Sequence, residues 1–134
     1  MTIFLKDLLL EIESAGSLET EVQRFEDSIN SKYSSVIKRF MVYYNKSKNC
    51  IELSDIYIKP EYYGKGYGSK IMEELVGFAD SKKLPVILLP ESERGSNKKL
   101  IDFYKKFGFV INKGRGMNYQ LSIPFALSMF RLPK

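Results

Sequence analysis

Glycines at alternate positions mark the segment Tyr63-Gly64-Lys65-Gly66-Tyr67-Gly68, which lies between a β-rich run and a helical one. A strand, a glycine-rich turn and a helix in succession make an anion site. The backbone amides point outward, and the helix start adds a partial positive charge. Glycine lets the backbone approach a phosphate closely and adopt positive φ. Lys65 and Lys70 bring further positive charge. The even spacing departs from the Walker A order and from the dinucleotide fingerprint G-x-G-x-x-G. Taken alone, the loop fits a ligand-free turn as well as it fits a phosphate cradle.

What the chain lacks limits the remaining chemistry. None of its 134 residues is histidine, which removes the usual general base and the commonest zinc ligand together. A metal site or a Ser-His-Asp triad is therefore not expected. Cys50 is the single cysteine, so no internal disulfide can form, and a reducing, cytoplasmic setting is the simpler reading. Cys50 reads as a small apolar strand residue rather than as an acyl carrier. The net charge of +5 suits an anionic ligand and is compatible with nucleic acid. The lysines, however, fall in scattered pairs such as Lys82 and Lys83 or Lys105 and Lys106, the pattern of solvated faces.

The elements that must position these groups follow from periodicity. Leu5, Leu8, Leu9 and Ile12 repeat at helical spacing over residues 3 to 14; Gly16 breaks the run, and Ser17 can cap a second helix lined by Leu18, Val22, Phe25 and Ile29. Val36 to Tyr44 is rich in β-branched and aromatic residues, 45–49 reads as a turn, and Cys50 to Ile58 as the returning strand that Pro60 ends. A helix is predicted from Ser69 to Lys82, and a doubly buried strand over Pro85 to Leu89. A further helix over Asn97 to Phe107 is closed by Gly108, followed by a strand over Phe109 to Asn112. A last strand lies near Leu127 to Leu132. No apolar run reaches the ~18 residues of a membrane span, and no cleavage site follows the apolar start, so neither a membrane nor a signal peptide is expected. The result is one mixed α/β domain.

Two blocks together resemble the GNAT (GCN5-related) N-acetyltransferase superfamily. Ile56 to Ile71, through the glycine loop, looks like the family's [QR]-x-x-G-x-[GA] motif; Gly66 and Gly68 take its small positions, while Tyr63 stands where the family has glutamine or arginine. Asn97-Lys98-Lys99-Leu100-Ile101-Asp102-Phe103-Tyr104-Lys105-Lys106-Phe107-Gly108-Phe109 resembles the later motif N-x-x-A-x-x-[LF]-Y-x-x-x-G-F, with Leu100 in place of the alanine. The resemblance covers about residues 36 to 112. It implies a GNAT-like fold over residues 1–134: a mostly antiparallel sheet with one parallel strand pair at the cofactor cleft, flanked by helices.

The resemblance also implies the chemistry: transfer of an acetyl group from acetyl-CoA, as co-substrate, to a primary amine of a protein or small molecule. Main-chain groups of Ile56, Tyr57 and Ile58 would pair with the pantetheine arm. The loop from Tyr63 through Gly64, Lys65, Gly66, Tyr67, Gly68 and Ser69 would hold the pyrophosphate. Asn97 is implied as a cofactor contact, though a helix cap explains it equally. Tyr104 would approach the sulfur as general acid, with a core aromatic as its plainer role. Glu52, eleven positions before Tyr63, sits where histone-acetyltransferase-like members carry a glutamate base; facing solvent or pairing with a lysine are its ordinary alternatives. Asp55 falls on the opposite face of a regular strand, unless a bulge of the kind found in this family shifts it. Glu91 and Glu93, after the buried strand, could relay a proton through water. Tyr62 joins Tyr63 and Tyr67 as rim or adenine-stacking candidates. A coenzyme A-binding or partner-binding domain without catalysis is the competing reading. A tRNA partner and a homodimer are compatible with the sequence.

Overall fold

The computed structural model describes residues 18–91, 97–124 and 126–134. The helix predicted over 3 to 14, the Ser17 cap and Glu93 lie outside the described residues. The chain is helical over 18–32 (α1), then forms the hairpin β1 (Ile37–Asn45) and β2 (Cys50–Ile58). A short 3-10 turn, Pro60–Tyr62, leads through the glycine loop into α2 (Tyr67–Ser81). The remaining elements are β3 (Val86–Leu88), α3 (Asn97–Lys105), β4 (Val110–Ile111), a second 3-10 turn (Tyr119–Leu121) and β5 (Met129–Arg131).

The five strands form one sheet in the order β1-β2-β3-β5-β4. β2 and β3 run parallel, and every other neighbouring pair is antiparallel. The expected architecture is therefore observed, with β2 matching its predicted bounds. α2 starts two residues before the predicted Ser69 because Gly66, at φ 81°, already turns the chain into the helix. α3 closes at Lys105, where bonds from Lys106 to Phe103 and from Phe107 to Tyr104 tighten the last turn.

Alternation along the strands separates two faces. Phe40, Val42, Ile51 and Leu53 join Val22, Ile29, Ile71, Leu75, Val86 and Leu88 in the larger core. Fully buried aliphatics such as Ile71 and Leu75 each stabilise the fold by roughly 1.5–3 kcal/mol. The opposite face carries Cys50, Ile87 and Phe130, covered by Leu121 and Ile123 from the connection between β4 and β5. Among its described residues that connection has no regular strand to hold it. Its shape comes instead from Asn112, whose amide donates to the Asn118 carbonyl and accepts from the Asn118 amide, both at 2.8 Å.

One register shift between β1 and β2 matters for the site. Met41 pairs with Asp55 and the next residue, Val42, with Leu53, which leaves Ser54 as an extra residue in β2. A bulge of this kind moves every later side chain to the other face. Glu52, Asp55 and Tyr57 consequently share a face, opposite Tyr43, Met41 and Arg39 respectively. A regular strand would have separated Glu52 from Asp55.

Candidate active site

The parallel ladder between β2 and β3 is three pairs long and ends at Leu53 with Leu88. β3 stops there, whereas β2 continues past the Ser54 bulge to Ile58. The two strands diverge, and the side of β2 that faced β3 turns towards a cleft of about 800 Å³. Residues 54–58 line one wall, α3 supplies Lys99, Leu100, Phe103 and Tyr104, and the glycine loop closes one end.

The loop is built from a stop and a cap. Pro60 begins the 3-10 turn, in which the Tyr63 amide donates to the Pro60 carbonyl at 3.1 Å. Gly64 (φ 74°) and Gly66 (φ 81°) then take left-handed backbone, and a Cβ at either would meet nothing within 4 Å. Sequence choice here answers conformation rather than space. The first bond of α2 runs from the Lys70 amide to the Gly66 carbonyl, so the amides of Tyr67, Gly68 and Ser69 have no carbonyl inside the helix to meet. All three residues line the cleft, and the first turn of α2 carries no acid to oppose an anion. Lys65 is not a lining residue; its ammonium lies 5.7 Å from the Tyr62 ring centroid. Lys70 sits 5.3 Å from that of Tyr67.

Tyr104 is 4% exposed, packed against the rings of Phe103 and Phe109, yet it reaches the cleft. Burial, helped by the neighbouring Tyr57, raises its phenol far above the usual tyrosine range. A core aromatic and a cleft residue are here the same side chain.

Family comparison agrees with this geometry. The model of the Acetyltransferase (GNAT) family matches residues 28–109. The chain belongs to the GNAT acetyltransferase family. Among curated relatives, it is 38% identical over 69 residues to the thialysine N-epsilon-acetyltransferase of Sus scrofa, a match covering 52% of this chain and 39% of that one. The Bos taurus enzyme of the same name is 41% identical over 63 residues, covering 47% and 35%. The matches thus span little more than a third of the relatives' own length. Tetrahymena GCN5 superposes with a TM-score of 0.54 at 13% identity, covering 87% of this chain and 84% of that one. A GNAT acetyltransferase from Staphylococcus aureus Mu50 gives 0.51 at 13%, over 69% and 57%. These two show the shared fold.

In this GNAT chain the cleft gathers most of the residues singled out from sequence: Glu52, Ile56, Tyr57, Ile58, Tyr63, Gly64, Gly66, Tyr67, Gly68, Ser69, Glu91 and Tyr104. Asn97 opens α3, with its side chain outside the described set. Asp55 also lines the cleft, 3.4 Å from the Arg39 guanidinium. Cys50 is fully buried, absent from the lining, and its thiol is pushed up to about 11 by burial and by Glu52. No metal-binding group of His, Cys, Asp and Glu occurs among the described residues.

Three groups were not anticipated from sequence. Ile123 reaches the cleft from the β4–β5 connection, a segment with no periodic signal. Tyr43 and Asn45 both donate to Glu52, the latter at 3.3 Å. Their contact had a signal: a turn over 46–49 sets Asn45 opposite Cys50, and hence Tyr43 opposite Glu52.

Proposed function

We propose that the chain binds acetyl-CoA in the β2–β3 cleft and transfers the acetyl group directly to a primary amine. One observation carries this reading: the end of the β2–β3 ladder opens onto a cleft lined by the first residues of α2 and by Tyr104. The residues present fit the ligand. Left-handed glycines facing open space and a helix start without acids suit a pyrophosphate. The half-buried run of β2 over 56–58, which continues past the end of β3 and lines the cleft, suits the amides of a pantetheine arm.

Acetyl-CoA, when bound, supplies the thioester carbon that the amine attacks. The amine must first be neutral, since lysine-like amines have a reference pKa near about 10.4. Glu52 takes that proton, directly or through water, and Glu91 stands on the same cleft as a second acceptor. Tyr104 faces the leaving sulfur. Because burial raises its phenol, it holds a thiolate better by donating a hydrogen bond than by surrendering its proton; a thiol near ~8.5 is the stronger acid of the two. Buried Cys50 lacks the thiolate character and access that an acyl-cysteine would need.

The thialysine acetyltransferase relatives favour a small amine of lysine-like chemistry as acceptor, and the single, unpaired Cys50 favours a reducing, cytoplasmic setting. Release of coenzyme A thiol from acetyl-CoA, measured against thialysine, lysine, diamines and short peptides, tests this. Amine-dependent release is expected, highest with thialysine. Tight acetyl-CoA binding with no release across the panel would favour the non-catalytic, cofactor-binding reading instead.

A further inference from the structure

Glu52 is held by groups that the family motifs do not include. Tyr43 lies directly across the β1–β2 ladder, and its phenol donates to Oε2 of Glu52. Asn45 donates through Nδ2 to Oε1 at 3.3 Å. Asn45 is itself fixed by the hairpin turn, its Oδ1 accepting from the Lys48 amide at 3.1 Å and the Ser47 hydroxyl at 2.9 Å. Both carboxylate oxygens are thus tethered from one side, and each oxygen keeps a lone pair for an incoming ligand.

We propose that Tyr43, supported by Asn45, is a positioning residue that aims the Glu52 carboxylate into the cleft for proton removal from the acceptor amine. The inference rests on the reading of Glu52 as the base. Geometry supports it beyond simple packing. The Tyr43 residue is 46% exposed, so its ring adds little to the core, while its hydroxyl is spent on Glu52. Partial burial and the bond to Glu52 push the phenol up to about 12, which keeps it a donor throughout the range in which an acetyltransferase works. A carboxylate on a strand otherwise has three rotatable bonds; two donors restrict it to one orientation, and misplacement of a proton acceptor is costly in rate.

The test is a double-mutant cycle with Tyr43→Phe and Glu52→Gln, read as separate kcat and KM values for acetyl-CoA and the amine. Tyr43→Phe keeps the ring and removes only the donor; Asn45 is less suitable because its loss also disturbs the turn. We expect Tyr43→Phe to lower kcat by about tenfold, with acetyl-CoA KM and the melting temperature unchanged. In the Glu52→Gln background the same change should have no further effect. An equal loss in both backgrounds would overturn the positioning role while leaving Glu52 as base. A rise in amine KM alone would instead make Tyr43 an acceptor contact and also overturn it. Full activity of Glu52→Gln would remove the base assignment and this inference with it.

Discussion

Arg131 and Asp80 meet side-on: Nη1 lies 2.8 Å from one carboxylate oxygen and Nη2 2.9 Å from the other. The guanidinium is 4% exposed, and its Nε donates to the Phe107 carbonyl at 2.7 Å. One side chain on β5 therefore ties the C-terminal end of α2 to the turn after α3. Gly108, at φ 93°, packs against it, since a Cβ there would stand 3.4 Å from Nε. These are the two helices that border the cleft, so the pair fixes the frame in which the glycine loop and Tyr104 face each other.

Asp80→Asn should lower unfolding free energy by about 3 kcal/mol, because it leaves a buried guanidinium without its counter-charge. The bond to Arg131 holds the Asp80 carboxyl down at about 2, against a usual 3.8. A depressed folded value stabilises above the unfolded one, so the contribution is complete above pH 3.8 and lost as pH falls through about 2. Urea titrations of both proteins at descending pH should show their difference shrinking over that window. A constant difference would contradict the pairing.

Gly66→Val places a β-branched residue in left-handed backbone, a strain of about 1–2 kcal/mol. With space around it empty, the strain is relieved by moving the loop. Acetyl-CoA affinity measured by calorimetry should fall at least about tenfold. Gly77→Ala is the contrasting change: it lies within α2, with nothing within 4 Å of the added Cβ. It should stabilise the protein by about 0.5–1 kcal/mol and leave turnover alone.

Much of this site is legible in the sequence, and the exceptions have physical causes. The glycine loop and Tyr104 carry their spacing openly. The Ser54 bulge is written there too: the apolar phase of Ile51 and Leu53 is out of step with that of Ile56 and Ile58, and a strict period of two hides the change. Register follows from turn length, which is how Tyr43 comes to face Glu52. The 112–128 segment is different. Asn112 and Asn118 hold it through side-chain and main-chain bonds, and such bonds leave no hydrophobic period to read. Ile123 was therefore invisible until the chain was folded.

If the hydroxyl acts on the sulfur as proposed while the ring does the packing, Tyr104→Phe should reduce kcat by about tenfold or more with little change in acetyl-CoA affinity. The raised phenol also makes a pH prediction. Activity should show no loss from tyrosine ionisation up to pH 10, the ordinary phenol value. Steady-state rates of wild type and variant across that range check both statements.

Cys50→Ser separates direct transfer from a covalent relay. The site is fully buried, so the hydroxyl should cost about 1–3 kcal/mol of stability. At temperatures where the variant remains folded, kcat should match wild type. A collapse of turnover with the fold intact would require an acyl-cysteine.

The most direct measurement is mass spectrometry of an amine, with thialysine first, after incubation with acetyl-CoA and either wild type or Gly66→Val. Wild type should yield one acetyl group on the amine for each coenzyme A thiol released, and Gly66→Val far less of both. Saturable acetyl-CoA binding by the wild type with no acetylated amine, or equal product from the two proteins, would contradict transfer in this cleft.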